Sequence, residues 1–123
     1  MTILDTNTIL RCILQDNEDT ATLVDKQMAS EECLVFPEVV AEIVFVLFKV
    51  YRLDRKEIAH SVSVILRHKN IRVPHKAVVE TALRYFGETK LDFVDCLLVG
   101  YALIDGHRIF TFDTELTKHL SRL

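Results

Sequence analysis

Apolar residues in this chain fall into short unbroken runs and into longer stretches that hold a few isolated charges. The short runs are Thr2 to Leu4, Cys33 to Phe36, Ile71 to Val73 and Arg108 to Phe112, stopped at Asp5, Pro37, Pro74 and Asp113. Brief apolar runs bounded by turn-forming residues, without strict alternation, are the pattern of strands buried on both faces of a parallel sheet. The intervening stretches predict helices over 7–14, over 18–30 with Asp16 and Asn17 as cap candidates, and from Pro37 to about Arg52. Further helices are expected from Asp54 to about His68, over 76–86 closing near Gly87, from Asp92 to Asp105, and over 114–121. Pro37 suits a first helical turn and Gly106 a left-handed helix stop. Strands separated by helices predict an α/β domain spanning 1–123, with a central parallel sheet of four to five short strands. Right-handed crossovers place helices on both faces, giving a three-layer α/β/α sandwich.

Composition narrows the classes. Half of the 123 residues are hydrophobic, which allows a substantial core, and only three Gly and two Pro interrupt them, so loops are expected to be short. No apolar run approaches the roughly 18 residues of a membrane span. No basic segment followed by a cleavable apolar one opens the chain, so the expectation is a cytoplasmic protein without a membrane partner. Cys12, Cys33 and Cys96 are scattered in apolar surroundings, which predicts buried free thiols rather than a disulfide framework or zinc site. The five histidines form no metal-binding pair at helical spacing.

The net charge of −3 is opposite to that of a typical nucleic-acid protein, but net charge says little about local potential. Basic residues gather between Lys49 and Lys76, as either a solvated helix surface or a rim that tracks phosphates.

The acids carry the candidate chemistry. Ligands of open parallel sheets bind outside the carboxyl ends of the strands. Asp5 follows the first strand and Asp113 the fourth, so the two share one edge of the sheet, although either alone also suits a helix N-cap. Glu42 is the only charge between Val39 and Phe48, and Asp95 the only one between Phe93 and Ile104. A carboxylate taken unpaired into a core costs several kcal/mol, so it is paired, protonated or bound to a cation. Glu42 alternatively lies on a thin solvent stripe, and Asp95, three residues after Asp92, alternatively belongs to a capping box. Four oxygen donors with no cation inside their apolar frames point to a hard ion, Mg²⁺ or Mn²⁺, and to metal-assisted phosphodiester hydrolysis.

With D-T-N-T-I-L-R at 5–11, P-E-V-V-A-E-I-V-F-V-L at 37–47, D-F-V-D-C-L-L-V-G-Y-A at 92–102 and T-F-D-T-E-L at 111–116, nearly the whole chain resembles the PIN-domain ribonucleases. It is most similar to the VapC-type toxins of toxin–antitoxin pairs. The resemblance implies a PIN-like sandwich and an endoribonuclease in which Asp5, Glu42, Asp95 and Asp113 hold one or two Mg²⁺ or Mn²⁺ ions. It makes Thr6, Asn7 and Thr111 the groups that orient ligands or position water. Glu38 reads as a first-turn dipole acid and Asp92 as a cap, or both as outer acids of the same site. It also implies an RNA substrate, a homodimer and an inhibitory antitoxin of VapB type. Family members often add a strand past the T-F-D segment. Two other functions compete: an inactive PIN-like RNA-binding scaffold, and a phosphatase using Asp5 as nucleophile, though its usual D-x-D has Asn7 in the second place. Only Gly87, Gly100 and Gly106 are available, so no dinucleotide-binding glycine motif exists.

Overall fold

The computed structural model describes residues 1–123. Three parallel strands, β1 (Thr2–Ile3), β2 (Cys33–Leu34) and β3 (Ile71–Arg72), lie side by side in chain order. Thr2 is opposite Cys33, and Cys33 is opposite Ile71. The ladder runs slightly past the strands, with the Leu4 N–H donating to the Leu34 carbonyl and the Val35 N–H to that of Arg72, each at 2.9 Å. Seven helices complete the α/β fold: α1 (Thr6–Leu14), α2 (Glu18–Ser30), α3 (Pro37–Lys49), α4 (Arg55–Leu66), α5 (Lys76–Glu88), α6 (Phe93–Asp105) and α7 (Thr114–Ser121). No helix is long and apolar enough to cross a membrane.

Local chemistry explains most boundaries. Asp5 caps α1, and Asn17, rather than Asp16, caps α2 by accepting from the Thr20 N–H at 3.1 Å. Asp16 instead pairs with Arg11 at 2.9 Å, beside the left-handed Gln15 that ends α1. Pro37 occupies the first turn of α3, and Gly106, at φ 71°, ends α6. Helix α3 stops three residues sooner than expected, before Arg52, which is itself left-handed at φ 55°. Gly87 does not end α5 but lies inside its last turn. A Cβ there would come within 3.2 Å of the Ala59 Cβ, so the glycine serves the approach of α4. Gly100 does the same between α5 and α6, where a Cβ would meet the Val78 carbonyl oxygen at 2.8 Å.

A cluster of 26 buried hydrophobic residues takes side chains from every helix, among them Ile9, Met28, Leu47, Ile58, Leu83, Val99 and Leu116. All three cysteines are buried free thiols. Burial pushes the Cys12 thiol up to about 11 and that of Cys96 to about 12, so neither is a nucleophile at neutral pH.

The expected fourth strand does not form. Residues 108–112 keep a period of two, with Ile109 and Thr111 half-buried and Arg108, Phe110 and Phe112 exposed, but they belong to no sheet. Phe110 and Phe112 are 89% and 90% exposed, and their rings meet edge to face at 5.4 Å. Alternation records which side chains share a side; a strand also needs a neighbouring edge to bond with, and β1 bonds only to β2.

Candidate active site

Three helix N-termini and the end of the unpaired segment deliver the acids. Asp5 has extended backbone and its Oδ1 accepts from the Thr8 N–H at 2.9 Å. Hydrogen bonds from the Thr8 hydroxyl and then its N–H favour the charged form and hold the Asp5 carboxyl below the usual carboxylate range. One residue on, the Thr6 hydroxyl donates to Glu42 Oε2 at 3.2 Å, tying the start of α1 to the second turn of α3. Asn7 is exposed and bonds to none of the acids.

Glu42 does not lie in a core. Val40, Ile43, Val44 and Leu47 form the buried face of α3, while Glu38, Glu42, Phe45 and Lys49 stand on its exposed side. The run is more apolar than its burial requires, because Phe45 is 59% exposed beside Glu42. The solvent-stripe alternative is therefore the one realised, and the surroundings of Glu42 are decided by Thr6 and not by desolvation.

Asp95 is half-buried in the first turn of α6. Burial first, then the negative charges of Asp113 and Asp92, push its carboxyl up from the usual value. The capping box is not formed: Asp92 holds the N-cap position, but its side chain makes no capping bond. Asp113 does cap, its Oδ1 accepting from the Leu116 N–H at 2.8 Å, and its own N–H donates to the Thr111 hydroxyl at 3.0 Å.

The structure thus gathers the acids into two groups, Asp5 with Glu42 through Thr6, and Asp95 with Asp113 and Asp92 through their fields. None of the five carboxylates has a lysine, arginine or histidine partner, since the chain's ion pairs all lie elsewhere. No three His, Cys, Asp or Glu side chains stand close enough together to grip one ion as placed. The donor set still suits a hard divalent cation: it is all oxygen, and like charges held together without a counter-ion are relieved by one.

A groove of about 360 Å³ runs from Asp92 and Asp95 along α3, floored by Val44, Phe48, Phe86 and Phe93. Its far end carries Lys49, and Phe45 and Val94, each 59% exposed, form its lips. Arg55 supports it from below. Its guanidinium donates to the carbonyls of Phe86, Thr89, Leu91 and Lys90 at 2.9–3.2 Å, and stacks over the Phe48 and Phe86 rings at 4.9 and 4.3 Å. Sequence reasoning counted Arg55 with the basic surface. Instead it fixes the 86–91 connection that leads into Asp92 and Asp95, and nothing in the sequence marks it out from Arg52 or Lys56.

The family model described as PIN domain matches residues 2–120. A relative described as "VapC ribonuclease", from Aquifex aeolicus (strain VF5), is 27% identical over 101 residues, covering 79% of this chain and 75% of that protein. No solved structure matches the chain.

Proposed function

This chain belongs to the PIN-domain family, and from that premise we propose that it is an endoribonuclease hydrolysing RNA phosphodiester bonds with Mg²⁺ or Mn²⁺. The observation that carries the proposal is the unneutralised Asp95, Asp113 and Asp92 group, joined by a groove to α3, the helix that carries Glu42. An RNA phosphate is repelled from such a pole unless a cation stands between them. When bound, the ion supplies Lewis acidity, acidifying water and offsetting charge on the phosphate.

The protein's own contribution is orientation. Asp5, Glu42 and Asp113 each have one carboxylate oxygen tied down, by the Thr8 N–H, the Thr6 hydroxyl and the Leu116 N–H. Glu42 and Asp113 keep their other oxygen free, and Asp95 keeps both. Asp5, Glu42, Asp95 and Asp113 are the residues we assign to the cation, with Thr6 and Thr111 as positioning residues. Asn7, Glu38 and Asp92 stand further out.

The printed name of the Aquifex relative supports the toxin role of a toxin–antitoxin pair. The groove beside Asp95 then suits an antitoxin of VapB type: an apolar segment seated over Phe45 and Val94, with a basic residue reaching the acids. A homodimer and a cytoplasmic setting belong to the same proposal. One observation favours the inactive scaffold instead, namely that no three carboxylates stand ready around one point. The phosphatase reading loses ground because Oδ1 of Asp5 is engaged in capping.

The test is cleavage of total RNA by the purified chain with Mg²⁺, Mn²⁺ or EDTA, alongside Asp95→Asn. Cleavage in metal that EDTA and Asp95→Asn both abolish supports the proposal. Cleavage unaffected by EDTA refutes the metal role, and RNA left intact in every metal favours the scaffold.

A further inference from the structure

A second concave surface lies on the α4–α5 pair, outside the acidic pole. The two helices pack with opposite directions, the Arg55 end of α4 against the Phe86 end of α5. Between them opens a cleft of about 440 Å³. Helix α4 contributes His60 and Ser63 and, at its C-cap, Arg67, spaced by three and four residues along one stripe, and α5 contributes Glu80, Thr81 and Arg84.

Three features distinguish this cleft from an ordinary solvated helix surface. Arg67 and Arg84 are exposed and neither has a carboxylate partner; the one acid there, Glu80, is drawn to Lys76 at 3.9 Å. Thr81 is the chain's single buried polar residue, only 7% exposed, and it lines the cleft with a hydroxyl that bonds to no protein group. Ser63 adds a second hydroxyl on the facing helix. Two free guanidinium groups and two hydroxyls lining one cleft are the donor set of a phosphate site, since the planar fork of Arg matches phosphate oxygens and hydroxyls supply neutral donors.

We propose that this cleft is a phosphate-binding exosite, in which Arg67 and Arg84, with the Thr81 hydroxyl, grip the backbone of bound RNA away from the acids. The identity of the polyanion rests on the ribonuclease reading above; the site rests on its own geometry. Ile104, at its border, lies nine residues along α6 from Asp95, about 14 Å of helix. An RNA held at both places is anchored by positive charge at one end while its scissile phosphate meets the acids at the other. Contacts of this kind are sequence-independent and release counterions, so they set affinity and its salt dependence, not base preference.

The experiment measures binding of short fluorescent single-stranded RNAs of several sequences, in EDTA, over a salt series. It compares wild type, Arg67→Ala/Arg84→Ala, Thr81→Val, and a charge-matched control, Lys26→Ala/Arg122→Ala. The cleft pair is expected to weaken every RNA alike and to lower the slope of log affinity against log salt by about 1.4, two single-strand phosphate contacts. Thr81→Val weakens binding less and leaves the slope unchanged, because the hydroxyl is neutral. The proposal is overturned if the cleft pair binds like the charge-matched control, or if wild type binds no RNA. It is also overturned if inorganic phosphate raises the Tm of wild type but not of the cleft pair while RNA binding is equal in both; the cleft is then a small-anion site. Failure of the ribonuclease reading appears elsewhere, as RNA cleavage indifferent to Asp95→Asn, and leaves this binding comparison intact.

Discussion

Asp5 and Asp95 both stand where a helix begins, at α1 and α6, yet the fold pushes their carboxyl groups in opposite directions. Asp5 is exposed and works for the backbone: Thr8 bonds to it, and the charged form is favoured. Asp95 is half-buried, bonds to no backbone N–H, and shares its space with Asp113 and Asp92. The helix dipole alone favours a first-turn anion, so at Asp95 desolvation and like charge outweigh it. A helix-start acid is thus ambiguous until its hydrogen bonds are known. Asp5 and Asp113 each accept a hydrogen bond from a helix start, whereas Asp95 accepts none and meets desolvation and like charge, which the proposed cation would offset.

The strongest test of the contrast is catalytic. If both halves serve one cation, Asp5→Asn and Asp95→Asn each lower RNA cleavage, on the order of a hundredfold or more, since each removes a group that positions transition-state charge. Thr6→Val, which only frees Glu42 Oε2, lowers it by about tenfold. Cleavage rates at saturating Mn²⁺ check this, and a loss confined to one half separates the two groups functionally.

Next is the platform beneath one half. Arg55→Ala removes four carbonyl bonds and two aromatic contacts at once, and is expected to cost about 3 kcal/mol, read in urea melts. The outcome that sinks the platform role is a change within ~0.5 kcal/mol, the range of an ordinary surface substitution.

A smaller effect separates capping from clustering directly. Asp5→Ala is expected to lose about 1 kcal/mol in EDTA, as a missing N-cap does. Asp95→Asn is expected to leave the protein equally or more stable in EDTA, and to reduce the Tm gain that Mn²⁺ gives wild type. Equal losses in both variants, with equal gains from Mn²⁺, would make the two acids alike after all.

The smallest effect is in pH. Asp5, with its folded carboxyl lowered, contributes stability that is present above 3.8 and lost as pH falls through its folded value. Asp95, with its carboxyl raised, acts oppositely: stability rises as pH falls from its folded value toward 3.8, because the folded form then takes up the proton first. Asp95→Asn should therefore lose stability more steeply than wild type on acidification through that window. Denaturant midpoints at closely spaced pH values in EDTA check the sign, and a shallower loss contradicts it.

Much of this was legible in the residues. The helices followed from periodicity and from caps such as Asn17, Pro37 and Gly106, and the parallel sheet from short apolar runs between them. The candidate acids stood out as charges in apolar frames, but Glu42 lies on the exposed side of α3 and not in a core. A run such as 39–48 cannot report which of its apolar residues stay outside, and Phe45 does. Arg55 and Arg67 fell in one basic run, read as a solvated surface or a rim that tracks phosphates, and Arg84 fell outside it; the three look alike in sequence, and only their neighbours differ.

Sequence by itself determined what each segment wants locally: helix or extended, where a helix starts, which acids lack a nearby cation. Those preferences depend on residues within a few positions of one another. Tertiary structure decided whether the alternating 108–112 segment finds an edge to bond with, and which helix-start carboxylate serves the backbone. It also decided which arginine spends its charge on carbonyls and which keeps it free. Hydrogen-bond partners, desolvation and like-charge repulsion come from residues distant in the chain, so no local pattern encodes them.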